Sequence, residues 1–96
     1  MKIRILQTAI DDIAAALRFY DCQGEGVGSY FTDSIFSEVD SLVLYFGIQP
    51  IHFGFHRLLA KRFPYAIYYR MDGDMILVFR ILDCRRSPNW IKTQLK

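Results

Sequence analysis

The sequence lacks the features that mark membrane, secreted and zinc-binding proteins. None of its apolar runs reaches the roughly 18 residues that a membrane-spanning helix needs. Residues 1–4 lead straight into a strand-like segment rather than a signal peptide, which predicts a cytoplasmic protein. The only two cysteines, Cys22 and Cys84, have no second Cys or His at metal-ligand spacing. We therefore expect both to be buried as small apolar residues, without a zinc site or disulfide framework.

Short catalytic motifs are also missing. The sequence has no nucleotide-binding loop, no nucleophile elbow and no HExxH pair. His52 and His56 flank Gly54 in an expected loop, where a general base and a solvated or hydrogen-bonded role both stay open. We expect no cofactor, no bound metal and no membrane partner.

Charge is distributed unevenly along the 96 residues. Residues 1–54 hold three basic and seven acidic side chains, whereas residues 55–96 hold nine basic and three acidic ones. The net charges are therefore −4 and +6. With 52% apolar residues the chain should fold as one domain over residues 1–96, and its basic half favours an acidic or polyanionic partner.

Periodicity and turn signals predict an α+β fold in which an N-terminal strand precedes a two-helix antiparallel hairpin. A three-stranded antiparallel sheet and a short C-terminal helix follow, with the helical hairpin packed on one face of the sheet. Thr8 and Ser29 are the expected N-caps of the first two helices, over residues 9–22 and 30–45, and Ser87-Pro88 opens the last, over residues 88–95. Residues 48–54 are expected to form a loop.

The Asp72-Gly73 pair predicts a tight hairpin between strands at residues 65–71 and 75–84. A regular ladder would place alternate residues on each face. One face would carry Tyr65, Ile67, Tyr69, Ile76, Val78, Arg80 and Leu82; the other would carry Ala66, Tyr68, Arg70, Met75, Leu77, Phe79 and Ile81. Both faces are largely apolar, so each must be covered or used for binding.

The candidate binding residues are cationic. Arg57 and Lys61 share one side of a strand and Arg62 the other, and with Arg80 and the later arginines they are expected to converge at one end of the sheet. Guanidinium groups bind phosphate or carboxylate, and tyrosines or Trp90 can stack on bases. Packing tyrosines and edge-protecting cations are the open alternative, and mid-strand Arg70 and Arg80 are the most readily structural. The target- or phosphate-binding candidates are Arg57, Lys61, Arg62, Arg85, Arg86 and Trp90.

Several segments together resemble the RelE/ParE toxins of bacterial type II toxin–antitoxin systems. The strongest is residues 57–69, RLLAKRFPYAIYY, followed by the Asp72-Gly73 turn and residues 81–90, ILDCRRSPNW. The resemblance implies a helical hairpin on a curved antiparallel sheet. It also implies a cognate antitoxin that wraps and neutralises the toxin, with a toxin–antitoxin hetero-oligomer as the product.

Two toxic mechanisms occur in that superfamily. RelE-like members resemble ribosome-dependent mRNA endonucleases, for which Arg57, Lys61 and Arg86 would be the catalytic candidates. ParE-like members resemble non-catalytic inhibitors of DNA gyrase that serve in plasmid stabilisation. Ala66 stands where the nucleases carry an arginine and Asp83 where many relatives carry His, so the proton-transfer set looks incomplete. This favours the gyrase inhibitor over the mRNA nuclease, and a degenerate toxin that binds only antitoxin is the third hypothesis.

Overall fold

The computed structural model describes all residues, 1–96, as three helices and five strands. In chain order the elements are β1 Lys2–Ile5, α1 Gln7–Asp21, α2 Val27–Tyr45, β2 Ile51–His52, β3 Phe55–Leu59, β4 Tyr65–Asp72, β5 Met75–Asp83 and α3 Pro88–Gln94. The strands form one sheet in the order β1-β5-β4-β3-β2, in which β1 runs parallel to β5 and the other pairs are antiparallel. The predicted α+β class is confirmed.

The β4–β5 hairpin forms as predicted. Asp72 pairs with Met75, so Gly73 and Asp74 make the two-residue turn, and Gly73 has a φ of 59°. Such a left-handed conformation costs glycine little. The Asp74 carbonyl accepts a 3.0 Å hydrogen bond from the Lys2 amide, which fixes the start of β1 beside β5.

Two turn and strand predictions need correction. Residues 48–54, expected as a loop, contain β2, which pairs with the start of β3 through a turn at Phe53 and Gly54. Basic strand β3 ends at Leu59, so Lys61 and Arg62 lie beyond it. The period-two pattern of a two-residue strand is too short to detect in a sequence.

The helix starts differ from their predicted caps. α1 begins at Gln7, and Thr8 donates its hydroxyl hydrogen to the Phe79 carbonyl at 2.7 Å instead of capping the helix. α2 begins at Val27 after Gly26, whose φ is 80°, so Ser29 lies inside the first turn. The third prediction is confirmed, since Ser87 Oγ accepts from the Trp90 amide at 3.1 Å.

The main core lies between the helical hairpin and one face of the sheet, which we call the first face. Its aromatic centre is Phe31 of α2, which is fully buried and stacks on Tyr20 of α1 at 5.0 Å between ring centroids. Apolar residues at helical spacing on α1 and α2 face alternate residues of the strands. The buried members are Ala9, Ile13, Ala16, Tyr20, Phe31, Ile35, Val39, Leu42, Ile67, Tyr69, Ile76, Val78 and Ile81.

A β-bulge in the hairpin makes the predicted face assignment wrong beyond Val78. Tyr69 pairs with Val78 but Tyr68 pairs with Arg80, so Phe79 is an extra residue. One inserted residue exchanges the faces of everything that follows it. Ile81 therefore enters the main core, whereas Arg80 and Leu82 leave the first face.

The second face of the sheet is covered by α3. Ile91 and Leu95 of the helix pack on the face formed by Phe55, Ala66, Tyr68 and Leu82, with Phe79 and Trp90 at the margin. Tyr68 and Tyr69 are buried on opposite faces, which supports packing over base stacking for both. None of the helices is long and apolar enough to cross a membrane.

Both cysteines depart from the prediction. Cys22, at the end of α1, and Cys84, after β5, are exposed free thiols. Each follows the last residue of its element, where the chain turns towards solvent.

Candidate functional site

The edge of β5 beyond Val78 has no neighbouring strand, because β1 ends at Ile5. Side chains of α1 take the place of the missing strand. Thr8 bonds the Phe79 carbonyl, and Asp12 Oδ2 accepts from the Ile81 amide at 2.9 Å. An uncovered edge would otherwise present unpaired backbone groups.

Arg80 links this edge to both adjacent helices. Its Nε and one terminal nitrogen donate to the two carboxylate oxygens of Asp12 at 2.7 and 2.9 Å, a bidentate pair. The other terminal nitrogen donates to the Gln94 carbonyl of α3 at 3.0 Å. The hydrogen bonds and charge of Asp12 raise the pKa of Arg80. Arg80 is therefore a structural clamp, in line with the structural alternative drawn from its mid-strand position.

A cleft of about 320 Å³ opens beside this clamp, between α1 and α3. We call it the β5-edge cleft. Phe19 of α1 is 50% exposed on its wall. The cleft is lined by Asp12, Ala15, Ala16, Phe19, Tyr65, Arg80, Ile81, Leu82, Asp83, Arg86 and Trp90.

Arg86 is the cation of the cleft that remains available. Its guanidinium carbon lies 4.1 Å from the centroid of the Trp90 ring, within the range of a cation–π contact. The molecule contains two ion pairs, Arg80–Asp12 and Arg85–Asp83, so Arg86 has no carboxylate partner. An exposed guanidinium held over an indole can bind a carboxylate or phosphate with little loss of side-chain entropy.

Arg85, by contrast, is paired. Its guanidinium and backbone amide donate to the Asp83 carboxylate, with the shortest contacts at 2.8 Å. The hydrogen bonds from the Arg85 side chain lower the pKa of Asp83, and partial burial opposes them. Asp83 is therefore the ion-pair partner of Arg85.

Asp83 should contribute to acid sensitivity. Because its pKa is lower in the folded chain than in the unfolded one, its stabilising contribution is complete above about pH 4 and is lost as the pH falls through the folded pKa. In urea titrations, the Asp83→Asn variant should be less stable than the wild type at pH 7. The two curves should converge as the pH drops below 4. An equal difference at pH 7 and pH 2 would contradict this assignment.

The tyrosines near Arg86 and Arg57 have raised pKa values, and His56 lies away from the β5-edge cleft. Burial, followed by the nearby Tyr20 and Asp83, raises the pKa of Tyr65 to about 12. Burial also raises the pKa of Tyr68 on the second face, and nearby Arg57 opposes it. His56 lies on β3, two strands away from β5, where its Nδ1 is 2.7 Å from the Gln49 carbonyl and its ring stacks on Tyr69.

Comparison with known proteins identifies the fold. No family model matches the chain, and no curated protein matches it. Among solved structures, a chain of the "Chromosomal ParDE TA system from P. aeruginosa" aligns with a TM-score of 0.74 and 23% identity. The alignment covers 84% of this chain and 92% of that chain. The two chains share one fold. The fold that the sequence resemblance implied is thus confirmed.

The structure divides the candidate cations into three groups. Arg57 lies on the second face, two residues after Phe55 and beside Tyr68. Its buried Nε has no hydrogen-bond partner. Arg86 lies over Trp90 at the margin of that face. The expected convergence of all these cations at one end of the sheet is therefore not found.

Lys61, Arg62 and Arg85 lie elsewhere. Beyond β3 the chain turns towards α2, where Lys61 and Arg62 line a small pocket of about 140 Å³ with residues of that helix, and Arg62 approaches the Tyr30 ring at 5.8 Å. Arg85 lies close enough to Tyr20 of the main core to affect its pKa. Because β3 ends at Leu59, the alternation of side chains along a strand does not determine the position of Lys61.

Sequence reasoning missed the cleft itself. Asp12 and Phe19 were not among the candidate residues, because the contact of Asp12 with the Ile81 amide joins residues 69 positions apart. Asp12 and Arg80 are too far apart in the sequence for a local pattern to predict their contact. An exposed Phe next to an apolar helix stripe was the one available hint.

Proposed function

We propose that the chain, over residues 1–96, is the toxin component of a bacterial type II toxin–antitoxin system of the ParE kind. The observation that carries this proposal is the shared fold with a chain of the ParDE system at a TM-score of 0.74. It agrees with the resemblance of residues 57–69 and 81–90 to RelE/ParE toxins, which was drawn from the sequence independently.

We further propose that the toxin inhibits DNA gyrase by binding it, without catalysis, in the cytoplasm. The β5-edge cleft supports this, since it offers Arg86, Trp90 and exposed Phe19 as binding groups, while the pKa of its tyrosine, Tyr65, is raised to about 12. General acid–base catalysis needs a side chain with a pKa near the working pH. A binding inhibitor needs only an accessible surface with hot-spot residues such as Trp and Arg.

The cognate antitoxin is the second proposed partner. The exposed side chains of the cleft, Phe19 and Arg86, match an amphipathic segment that carries both apolar and acidic residues. Binding there would form the toxin–antitoxin hetero-oligomer and cover the groups proposed to contact gyrase.

Growth on induction tests the toxin assignment. Expression of the chain alone should arrest bacterial growth, and co-expression of a neighbouring short reading frame with an acidic tail should restore it. Normal growth at verified expression of folded protein would leave only the degenerate toxin, which binds antitoxin but has no toxicity.

A ribosome-dependent mRNA endonuclease is the second candidate function. Arg57 and Arg86 both lie on or beside the second face and neither is part of an ion pair, so both are available to phosphate. Stabilisation of a charged phosphorane by such groups is a large catalytic term. The test is cleavage of mRNA on programmed ribosomes, and intact message with excess chain would remove this candidate.

A further inference from the structure

A second cleft lies at the C-terminal end of α3, shares only Arg80 with the β5-edge cleft and has no place in the proposed toxin mechanism. It has a volume of about 440 Å³, within the range of sites that hold small molecules or side chains. We call it the Arg70 pocket. It is lined by Thr8, Phe55, Arg70, Phe79, Arg80, Gln94, Leu95 and Lys96.

One wall of the Arg70 pocket is apolar. Phe55 and Phe79 meet edge to face with their ring centroids 5.0 Å apart, and the buried side chain of Leu95 completes the wall. Phe55 is only 4% exposed, and the Arg70 guanidinium covers its ring. The Phe55 ring is therefore closed to a stacking nucleobase, whereas Phe79 and Leu95 remain for an apolar group.

Arg70 is held in place at the rim of this pocket. Its guanidinium carbon lies 4.0 Å from the Phe55 centroid and 5.6 Å from that of Phe79. Its Nε donates to the Gly54 carbonyl at 3.0 Å. These contacts orient the guanidinium and leave its terminal nitrogens for a ligand, since Arg70 is exposed and forms no ion pair.

Gly54 makes this arrangement possible. Its φ of +85° is one that side-chain-bearing residues rarely adopt, and a Cβ there would lie 3.1 Å from a terminal nitrogen of Arg70. The turn between β2 and β3 thus brings backbone close to the arginine without blocking it.

The charge of the pocket is one-sided. Arg70, Arg80 and Lys96 line it, and no Asp or Glu side chain does. Arg80 is already neutralised by Asp12, so Arg70 and Lys96 are the cations left for a ligand. These cations and the neighbouring apolar side chains fit a ligand that combines an anionic group with an apolar group.

We propose that the Arg70 pocket binds a carboxylate carried by an apolar peptide segment of a protein partner. The carboxylate would accept from the terminal nitrogens of Arg70, while the neighbouring apolar side chain packs on Phe79 and Leu95. The carboxylate comes from an Asp or Glu side chain or from the end of a chain. This inference goes beyond the proposed function, because it holds whichever enzyme or ribosome the chain acts on.

The test is a titration of the ¹⁵N-labelled chain, followed by NMR, with three short peptides. Ac-Leu-Phe-Glu-NH₂ carries a side-chain carboxylate, Ac-Leu-Phe-OH a terminal one, and Ac-Leu-Phe-Gln-NH₂ none. At least one acidic peptide should produce saturable shifts of the Arg70 Nε–Hε and Leu95 amide signals. The neutral peptide should bind about tenfold more weakly, the factor expected for one charge-assisted hydrogen bond.

Two variants and one further probe complete the test. Arg70→Gln should weaken binding of the acidic peptide by about tenfold, whereas Arg18→Gln, which removes an exposed cation of α1, should leave it unchanged. The proposal is overturned if the neutral peptide binds equally well, if Arg70→Gln has no effect, or if no peptide gives saturable shifts. Tighter binding of a thymidine hexanucleotide at the same signals would overturn it in favour of a nucleic-acid site.

Discussion

Replacing Asp12 with Ala should lower the free energy of unfolding by about 3 kcal/mol, at the lower end of the range for breaking a buried ion pair. The Asp12 and Arg80 side chains are 14% and 20% exposed, so solvent screens the pair only in part. The substitution also removes the acceptor of the Ile81 amide on the open edge of β5. Few single positions of the chain join α1, the sheet and α3 in this way.

Asp11→Ala is the matched control for that experiment. Asp11 is the preceding residue of α1, is exposed, and accepts a single hydrogen bond from Gln7 at 2.8 Å. Its loss should change stability by no more than about 0.5 kcal/mol. Urea denaturation followed by circular dichroism measures both variants, and equal stabilities would show that the clamp contributes nothing.

Phe31→Ala should have the larger effect, a loss of about 3–5 kcal/mol. Phe31 is fully buried, and its ring contacts Tyr20, Phe63 and Tyr65 at centroid distances of 5.0, 5.0 and 5.1 Å. Truncation leaves a cavity among three aromatic rings that are too large to close it. Because a domain of this size is stable by only about 5–15 kcal/mol, the variant should be close to unfolding at 37 °C.

Phe36→Ala serves as the control on the same helix. Phe36 is 40% exposed, so its truncation removes less buried area and opens no closed cavity. Its cost should stay below about 1 kcal/mol. Thermal unfolding of the two variants side by side measures the difference, and a Phe31 variant no less stable than the Phe36 variant would contradict the described core.

Local signals predicted the parts of this fold that depend on local chemistry. The Gly73 turn requires a left-handed backbone, and Ser87 followed by Pro88 satisfies the free amides of a helix start, so both could be read from neighbouring residues. Phe31, Ile35 and Val39 of α2 likewise recur at helical spacing in the sequence, and all three are buried.

The features that the sequence could not predict depend on distant contacts. The bulge at Phe79 arises within a ladder whose pattern would have allowed a regular register, and it moves Arg80 to the position where it meets Asp12. Thr8 has the sequence of a helix cap but bonds β5 instead, because the end of β1 leaves that strand an open edge. Each is a tertiary contact that overrides a local preference.

The same reason explains why the candidate site was only partly predicted. Arg57, Arg86 and Trp90 were identified by their chemistry, and they do lie on or at the margin of the second face. Lys61 and Arg62 follow the chain round the end of β3 to α2. A structural role was an open alternative for mid-strand Arg70, and the Gly54 turn positions its guanidinium at a pocket rim.

The proposed binding to DNA gyrase is tested most directly by a supercoiling assay. Purified chain in excess over DNA gyrase should abolish the supercoiling of relaxed plasmid, and prior mixing with the product of the neighbouring reading frame should restore it. Undiminished supercoiling by gyrase in the presence of folded chain would contradict the proposal. Cleavage of mRNA on programmed ribosomes would then favour the nuclease.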